Sequence, residues 1–138
     1  GITFIPVPHF FSPQQVAHLL GQSGMQGLLT DRPEAVQELM AAIEVPVRQQ
    51  LAVQADDISL LLLNAGQALS IPAAIAKVTF TSGSTGEPKG ACLSQPVMES
   101  VAASLAGVTR ACEDDVHLSV LPYATLLENI GGVYAPLL

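Results

Sequence analysis

The ten residues from Thr81 to Gly90 read T-S-G-S-T-G-E-P-K-G. Hydroxyls stand at Thr81, Ser82, Ser84 and Thr85, glycines at Gly83 and Gly86, and a single cation at Lys89. Glycine lets a backbone turn tightly and approach a ligand with no Cβ in the way. Successive N–H groups in such a turn form a concavity that accepts anions. Short hydroxyl donors with one mobile ammonium suit the many oxygens and the charge of a polyphosphate. Pro88 stiffens the segment just before the lysine. Two rival readings need weighing. One is the Walker A loop, GxxxxGK[ST], which fails because Gly90 follows Lys89 and Gly86 lies three positions before it. The other is a flexible Gly/Ser linker, against which the proline, the lysine and the strand-like flanks all argue.

Those flanks must position the loop. "AKVTFT" is rich in β-branched residues and predicts a strand running into Thr81, and "GACLS" predicts a second extended stretch after it. Ser94 then caps a helix whose buried side is expected at Val97, Val101 and Leu105, with Met98 and Ala102 beside them. Downstream, "VHLSVLP" is almost continuously apolar and predicts a central strand. A last helix is expected from Ala124 through Leu127, Ile130, Val133 and Leu137, weakened by Gly131 and Gly132.

Upstream, "ITFIPVP" predicts a short strand ended by prolines. Ser12, Pro13 and Gln15 spell a helix start with a capping box, followed by the stripe Val16, Leu19 and Leu20 and a stop at Gly21. "MQGLLTD" predicts a strand. Asp31 and Pro33 open a second helix with the face Val36, Leu39, Met40 and Ile43. "QLAVQ" and "ISLLLL" are strand candidates on either side of Asp56 and Asp57. This alternation predicts an α/β fold, part of a layered domain with a largely parallel sheet flanked by helices.

The 138 residues allow one domain at most. Charged residues make up 12%, against about 25% in a typical soluble domain, while 49% are hydrophobic. No membrane span is expected, because the most apolar region, Ile58 to Ala76, is interrupted by Asn64, Gln67 and Pro72. The apolar start and the finish at "VYAPLL" instead lead us to expect a segment of a larger domain, prone to self-association. A net charge of −7 with five scattered Lys and Arg disfavours nucleic acid and anionic membranes. Cys92 and Cys112 lack metal-ligand spacing and predict reduced core thiols in a cytoplasmic protein.

Thr81 to Gly90 resembles the phosphate-binding signature of the adenylate-forming enzymes, the AMP-dependent synthetase and ligase superfamily. "GITFIPVPHFFSPQQVAHLLGQSGMQGLLTD" resembles the family's early segment. "LSVLPYATLLENIGG" resembles its next downstream motif, often LP-x-A-H-x-x-E in acyl-CoA synthetases. Leu121, Pro122, Ala124 and Glu128 match that motif, and Thr125 stands where the histidine is common. The resemblance implies the large N-terminal AMP-binding domain, covering residues 1–138 with no C-terminal domain, and activation of a carboxylic acid by ATP to an acyl-adenylate. The acyl group would pass to coenzyme A or a carrier pantetheine. A fatty or other aliphatic acid is the expected substrate. The alternatives are an amino-acid- or aryl-acid-activating adenylation domain and a noncatalytic nucleotide-binding or interaction module.

The same resemblance implies that Thr81, Ser82, Gly83, Ser84, Thr85 and Gly86 hold the β- and γ-phosphates. Lys89 would follow the departing pyrophosphate, magnesium would accompany ATP, and Thr125 and Glu128 would border the acyl pocket. The family's aromatic-Gly-x-Thr-Glu motif, ribose-binding aspartate and C-terminal lysine match nothing in this sequence, so the segment by itself is expected to be inactive. Glu113, Asp114 and Asp115 read as a solvated acidic turn rather than a metal site. His117 reads as structural, and His9 and His18 have no partner of matching spacing.

Overall fold

A computed structural model describes residues 2–53, 57–64, 71–81 and 88–137. The chain forms two compact units, one of residues 1–10 and 71–138, the other Phe11–Ser70.

The unit Phe11–Ser70 opens with α1 (Pro13–Ser23), which starts as its sequence dictates. The Ser12 hydroxyl accepts from the Gln15 N–H at 3.3 Å, and the Gln15 side chain accepts from the Ser12 N–H at 2.9 Å. Val16, Leu19 and Leu20 form the buried stripe. The helix runs past Gly21 and ends at Gly24, which takes the left-handed conformation (φ 59°) and donates its N–H to Leu20 O. That geometry suits glycine and stops helices. Gly21 has helical dihedral angles available like any residue, so it does not end the helix.

Strand β1 (Gly27–Thr30) follows, then α2 (Pro33–Ala42), β2 (Val47–Ala52) and β3 (Ser59–Leu63). On α2, Met40 is buried, with Val36, Leu39 and Ile43 half-buried on the expected face. The sheet order is β1-β3-β2 and both ladders are antiparallel. In the central β3, Ser59, Leu61 and Leu63 are buried while Leu60 and Leu62 are half-buried, the alternation of a strand with one better-covered face. Asp56 lies outside the described residues.

In the other unit, β4 (Ile75–Thr81) and β5 (Lys89–Ser94) pair antiparallel, from Thr81 opposite Lys89 to Ile75 opposite Ser94. The N-terminal stretch meets β4 through one parallel bridge. Phe4 N–H donates to Ala76 O at 2.9 Å, and Val78 N–H donates to Phe4 O at 3.0 Å. The β4–β5 register shifts between Ile75 and Lys77, beside that bridge. Helix α3 (Gln95–Thr109) packs back on the hairpin, and α4 (Leu126–Asn129) continues into a π-helical turn (Ile130–Tyr134) and a 3-10 turn (Ala135–Leu137).

Helices and strands are mixed, as expected of an α/β chain, but the sheet geometry departs from expectation. All ladders between named strands are antiparallel. The β2–β3 and β4–β5 connections span residues 53–58 and 82–88, too short for the crossover that parallel neighbours need. "VHLSVLP" forms no strand. Val116 is 97% exposed, and Leu118 and Val120 are also exposed. Apolar content alone cannot make a strand, since the backbone needs a neighbour to pair with.

On α3 the buried residues are Met98 and Ala102, whereas Val97 and Val101 are exposed. The covered face is therefore rotated by one residue from the expected one. Ser94 occupies the N-cap position without a side-chain cap bond. Cys92 and Cys112 are free thiols but exposed, not core residues. Cys92 is exposed on β5 opposite the buried Val78, and Cys112 follows the end of α3.

Candidate functional site

The hairpin brings Thr81 and Lys89 opposite one another at its mouth, and the Thr81 hydroxyl donates to Lys89 O at 3.4 Å. Lys89 is exposed, and its ammonium has no ion pair among the described residues. Ser82, Gly83, Ser84, Thr85 and Gly86 lie outside the described residues. The hairpin thus holds the two ends of the T-S-G-S-T-G-E-P-K-G segment together, with an exposed cation at the exit.

Gly90 has a packing role. A Cβ there would lie 2.9 Å from Val78 Cγ1 and 3.2 Å from Phe80 Cζ. Phe80 stands directly opposite Gly90 in the ladder, and its ring fills the space that a side chain would take. The glycine after the lysine is thereby explained by the hairpin, without reference to any ligand.

Residues two apart on a strand share a face, so Lys77, Thr79 and Thr81 form one row along β4. Lys77 is 1% exposed, and its Nζ donates to Asn129 Oδ1 and lies 5.9 Å from the Tyr134 ring centroid. Burial pushes its ammonium down from the ordinary 10.5 to about 8, because charge is costly away from water. Asn129 is fully buried; its Nδ2 and the Thr79 hydroxyl have no hydrogen-bond partner among the described residues. Lys77 also lines a cavity of about 370 Å³, with Phe4, Met98, Glu99, Ala102 and Tyr134 among its walls. Sequence reasoning missed Lys77 and Asn129. The available signal was a lysine set among the apolar residues of "AKVTF", in same-face spacing with two threonines.

The residues of the downstream motif take up defined positions around α4. Thr125 is its N-cap residue, with the hydroxyl donating to Pro122 O at 2.8 Å. Glu128 is buried and accepts from the Ser119 hydroxyl. Its carboxylate lies against Gly132, where an added Cβ would come within 2.8 Å of Cδ. The two glycines that weaken an ordinary helix stand in the π-helical turn, and one of them makes room for this carboxylate. Thr125 and Glu128 are close in the chain but have separate partners.

The acidic run is a turn: Asp115 Oδ2 accepts from Cys112 N–H at 2.8 Å, and Glu113 and Asp114 are exposed. Among the described residues no group of three His, Cys, Asp or Glu side chains is placed to hold a metal ion. His9 makes an edge-to-face contact with Phe10, His18 is half-buried on α1, and His117 is exposed. No helix among the described residues is long and apolar enough to cross a membrane.

The family profile described as AMP-binding enzyme matches residues 1–138, the whole of this sequence. The chain belongs to the AMP-binding enzyme family. Among curated relatives, fatty acyl-CoA synthetase B of Dictyostelium discoideum is 36% identical over 59 residues, covering 43% of this chain. N-(5-amino-5-carboxypentanoyl)-L-cysteinyl-D-valine synthase of Streptomyces clavuligerus is 30% identical over 101 residues, covering 65% of this chain. The chain spans only 9% and 12% of the lengths of those two proteins. No solved structure matches it. Family membership agrees with the resemblance carried by Thr81 to Gly90, and the hairpin joins the two ends of that segment.

Proposed function

We propose that the full-length protein uses ATP to activate a carboxylic acid as its acyl-adenylate, and then transfers the acyl group to coenzyme A or a carrier pantetheine thiol. The observation that carries this is the closure of the T-S-G-S-T-G-E-P-K-G segment by the Thr81–Lys89 pair, in a chain of the AMP-binding family. The acid's carboxylate oxygen attacks the α-phosphorus of ATP, and the bond to the bridging oxygen breaks as pyrophosphate leaves. Thr81, Ser82, Ser84 and Thr85, with the backbone at Gly83 and Gly86, supply donors to the β- and γ-phosphates. Negative charge grows on the leaving pyrophosphate, and the ammonium of Lys89, which has no ion pair among the described residues, is the group to meet it. Magnesium enters as the ion that accompanies ATP.

An aliphatic acid is the preferred substrate. Two features support it: the LPYATLLE stretch and the relative named fatty acyl-CoA synthetase B. Thr125 and Glu128 are then assigned to the border of the acyl pocket. The relative named N-(5-amino-5-carboxypentanoyl)-L-cysteinyl-D-valine synthase, matched over more of the chain, favours amino-acid activation as a second reading. The activity is placed in the cytoplasm, where ATP and thiol acceptors are available. ATP–pyrophosphate exchange on the full-length protein, with a panel of aliphatic, aryl and amino acids, separates these readings. Exchange that depends on an aliphatic acid is expected. Exchange that depends on an amino acid would favour the second reading, and none with any acid would contradict both.

A further inference from the structure

We infer, on the reading that the full-length protein activates an acid, that Lys77 and Asn129 are a positioning pair for that reaction. Their buried hydrogen bond sets the strand that ends at Thr81 against the helix that contains Glu128 and is capped by Thr125.

Each partner is anchored by its own backbone. At Lys77, β4 is flanked on both edges: Leu93 of β5 stands opposite it, and Phe4 bridges the other side through Ala76 O and Val78 N. Asn129 closes α4, and its N–H donates to Thr125 O at 3.0 Å. Both side chains are buried, although 52 positions separate them in the chain. Among the described residues theirs is the only hydrogen bond between β4 and the chain after α3. Tyr134, in the π-helical turn after α4, sets its ring 5.9 Å from the same ammonium.

Apolar surfaces attract without direction, so one can slide on another at little cost. A buried polar pair does not slide. Any displacement that parts the ammonium from the amide leaves two desolvated groups unpaired. The pair therefore holds β4 and α4 in one relation. Strand β4 carries that relation to the hairpin mouth, where Thr81 stands four residues on, about 13 Å at the usual rise. Helix α4 carries it to Thr125 and Glu128, assigned above to the border of the acyl pocket. Attack of the carboxylate on the α-phosphorus needs both substrates in register, and a misplacement of about 1 Å can cost about a hundredfold in rate. Lys77 and Asn129 act through the elements they join, without touching either substrate.

The test is a double-mutant cycle in the full-length protein, using Lys77→Met, Asn129→Leu and the two combined, with the acid that supports pyrophosphate exchange in wild type. Adenylation kcat and KM, thiol transfer from a supplied acyl-adenylate, and the urea midpoint are read for each. Each single substitution should slow adenylation about ten- to a hundredfold, with KM and thiol transfer within about twofold of wild type. The combined variant leaves neither partner unpaired, so its urea midpoint should return toward wild type. Its adenylation should stay slow, because the link is still absent. Asn129→Asp keeps an acceptor for Lys77 and should adenylate within about threefold of wild type; it decides the matter if the other variants do not fold. Adenylation that recovers with stability in the combined variant would overturn the inference, as would equal slowing of both half-reactions or an Asn129→Asp enzyme slowed at least tenfold. Each of these leaves the proposed activation standing, since wild type still adenylates its acid. Wild type that adenylates no acid would overturn the proposed activation, and the positioning role with it.

Discussion

Lys77 gives the clearest consequence at the scale of one residue, because its pKa is lowered by burial to about 8. At neutral pH it is protonated in both folded and unfolded chains, and the folded state bears the full desolvation penalty, about 3 kcal/mol. As pH rises from 8 toward the ordinary lysine value, the folded chain releases this proton first and the unfolded chain keeps it longer. The unfolded state then binds more protons, so stability rises with pH across that window. Urea unfolding at pH 7 and pH 10 should show this rise in the wild type. Lys77→Met should show a smaller rise, the difference isolating Lys77 from the tyrosines, cysteines and other lysines that both proteins share. An identical pH response in both would contradict a depressed lysine. Gly90 carries a different kind of constraint. Gly90→Ala should cost about 1–3 kcal/mol by pushing on Phe80 and Val78, read as a lower urea midpoint with an unchanged slope. Phe80→Leu, which clears the ring, should recover part of that loss in the double variant.

Among the elements, those with local signals were legible in the sequence. The capping box at Ser12 and Gln15 fixes the start of α1 because all its parts lie within four residues. The strand that enters the loop was likewise readable from its β-branched content. What the sequence did not disclose depends on partners distant in the chain. The apolar run "VHLSVLP" looks like a buried strand, yet it has no ladder, and its apolar residues face solvent. The face of α3 was misjudged because Val97 and Val101 are as apolar as Met98 and Ala102; which pair is covered depends on the hairpin and the turns after α4 that pack on the helix. Glu128 illustrates the same limit. Its burial rests on Ser119, nine positions away, and on the space left by Gly132. Gly132→Ala should displace the Glu128 carboxylate and destabilise the π-helical turn. A lower thermal midpoint with loss of helical circular dichroism checks this; a midpoint equal to wild type would show that the carboxylate moves aside freely.

For the molecule as a whole, exposed apolar side chains are numerous in the unit that contains the hairpin, Ile2, Val108, Val116, Leu118, Val120 and Leu137 among them. Surfaces of this kind bind other apolar surfaces. The 138-residue chain by itself is accordingly proposed to self-associate, with ANS fluorescence and light scattering that grow with concentration. A monodisperse monomer that leaves ANS dark would count against this. The central claim is that the hairpin loop handles the pyrophosphate of ATP in the full-length protein, and Lys89 is where it is most exposed to test. Lys89→Met keeps most of the side-chain volume and removes the cation. Loss of one preorganised electrostatic contact of this sort costs about 3 kcal/mol in the transition state, roughly a hundredfold in rate. The decisive measurement is the rate of each half-reaction in wild type and Lys89→Met: adenylation of the acid, and thiol transfer from a supplied acyl-adenylate. Adenylation slowed about a hundredfold with thiol transfer nearly unchanged is the predicted result; adenylation at the wild-type rate would contradict it.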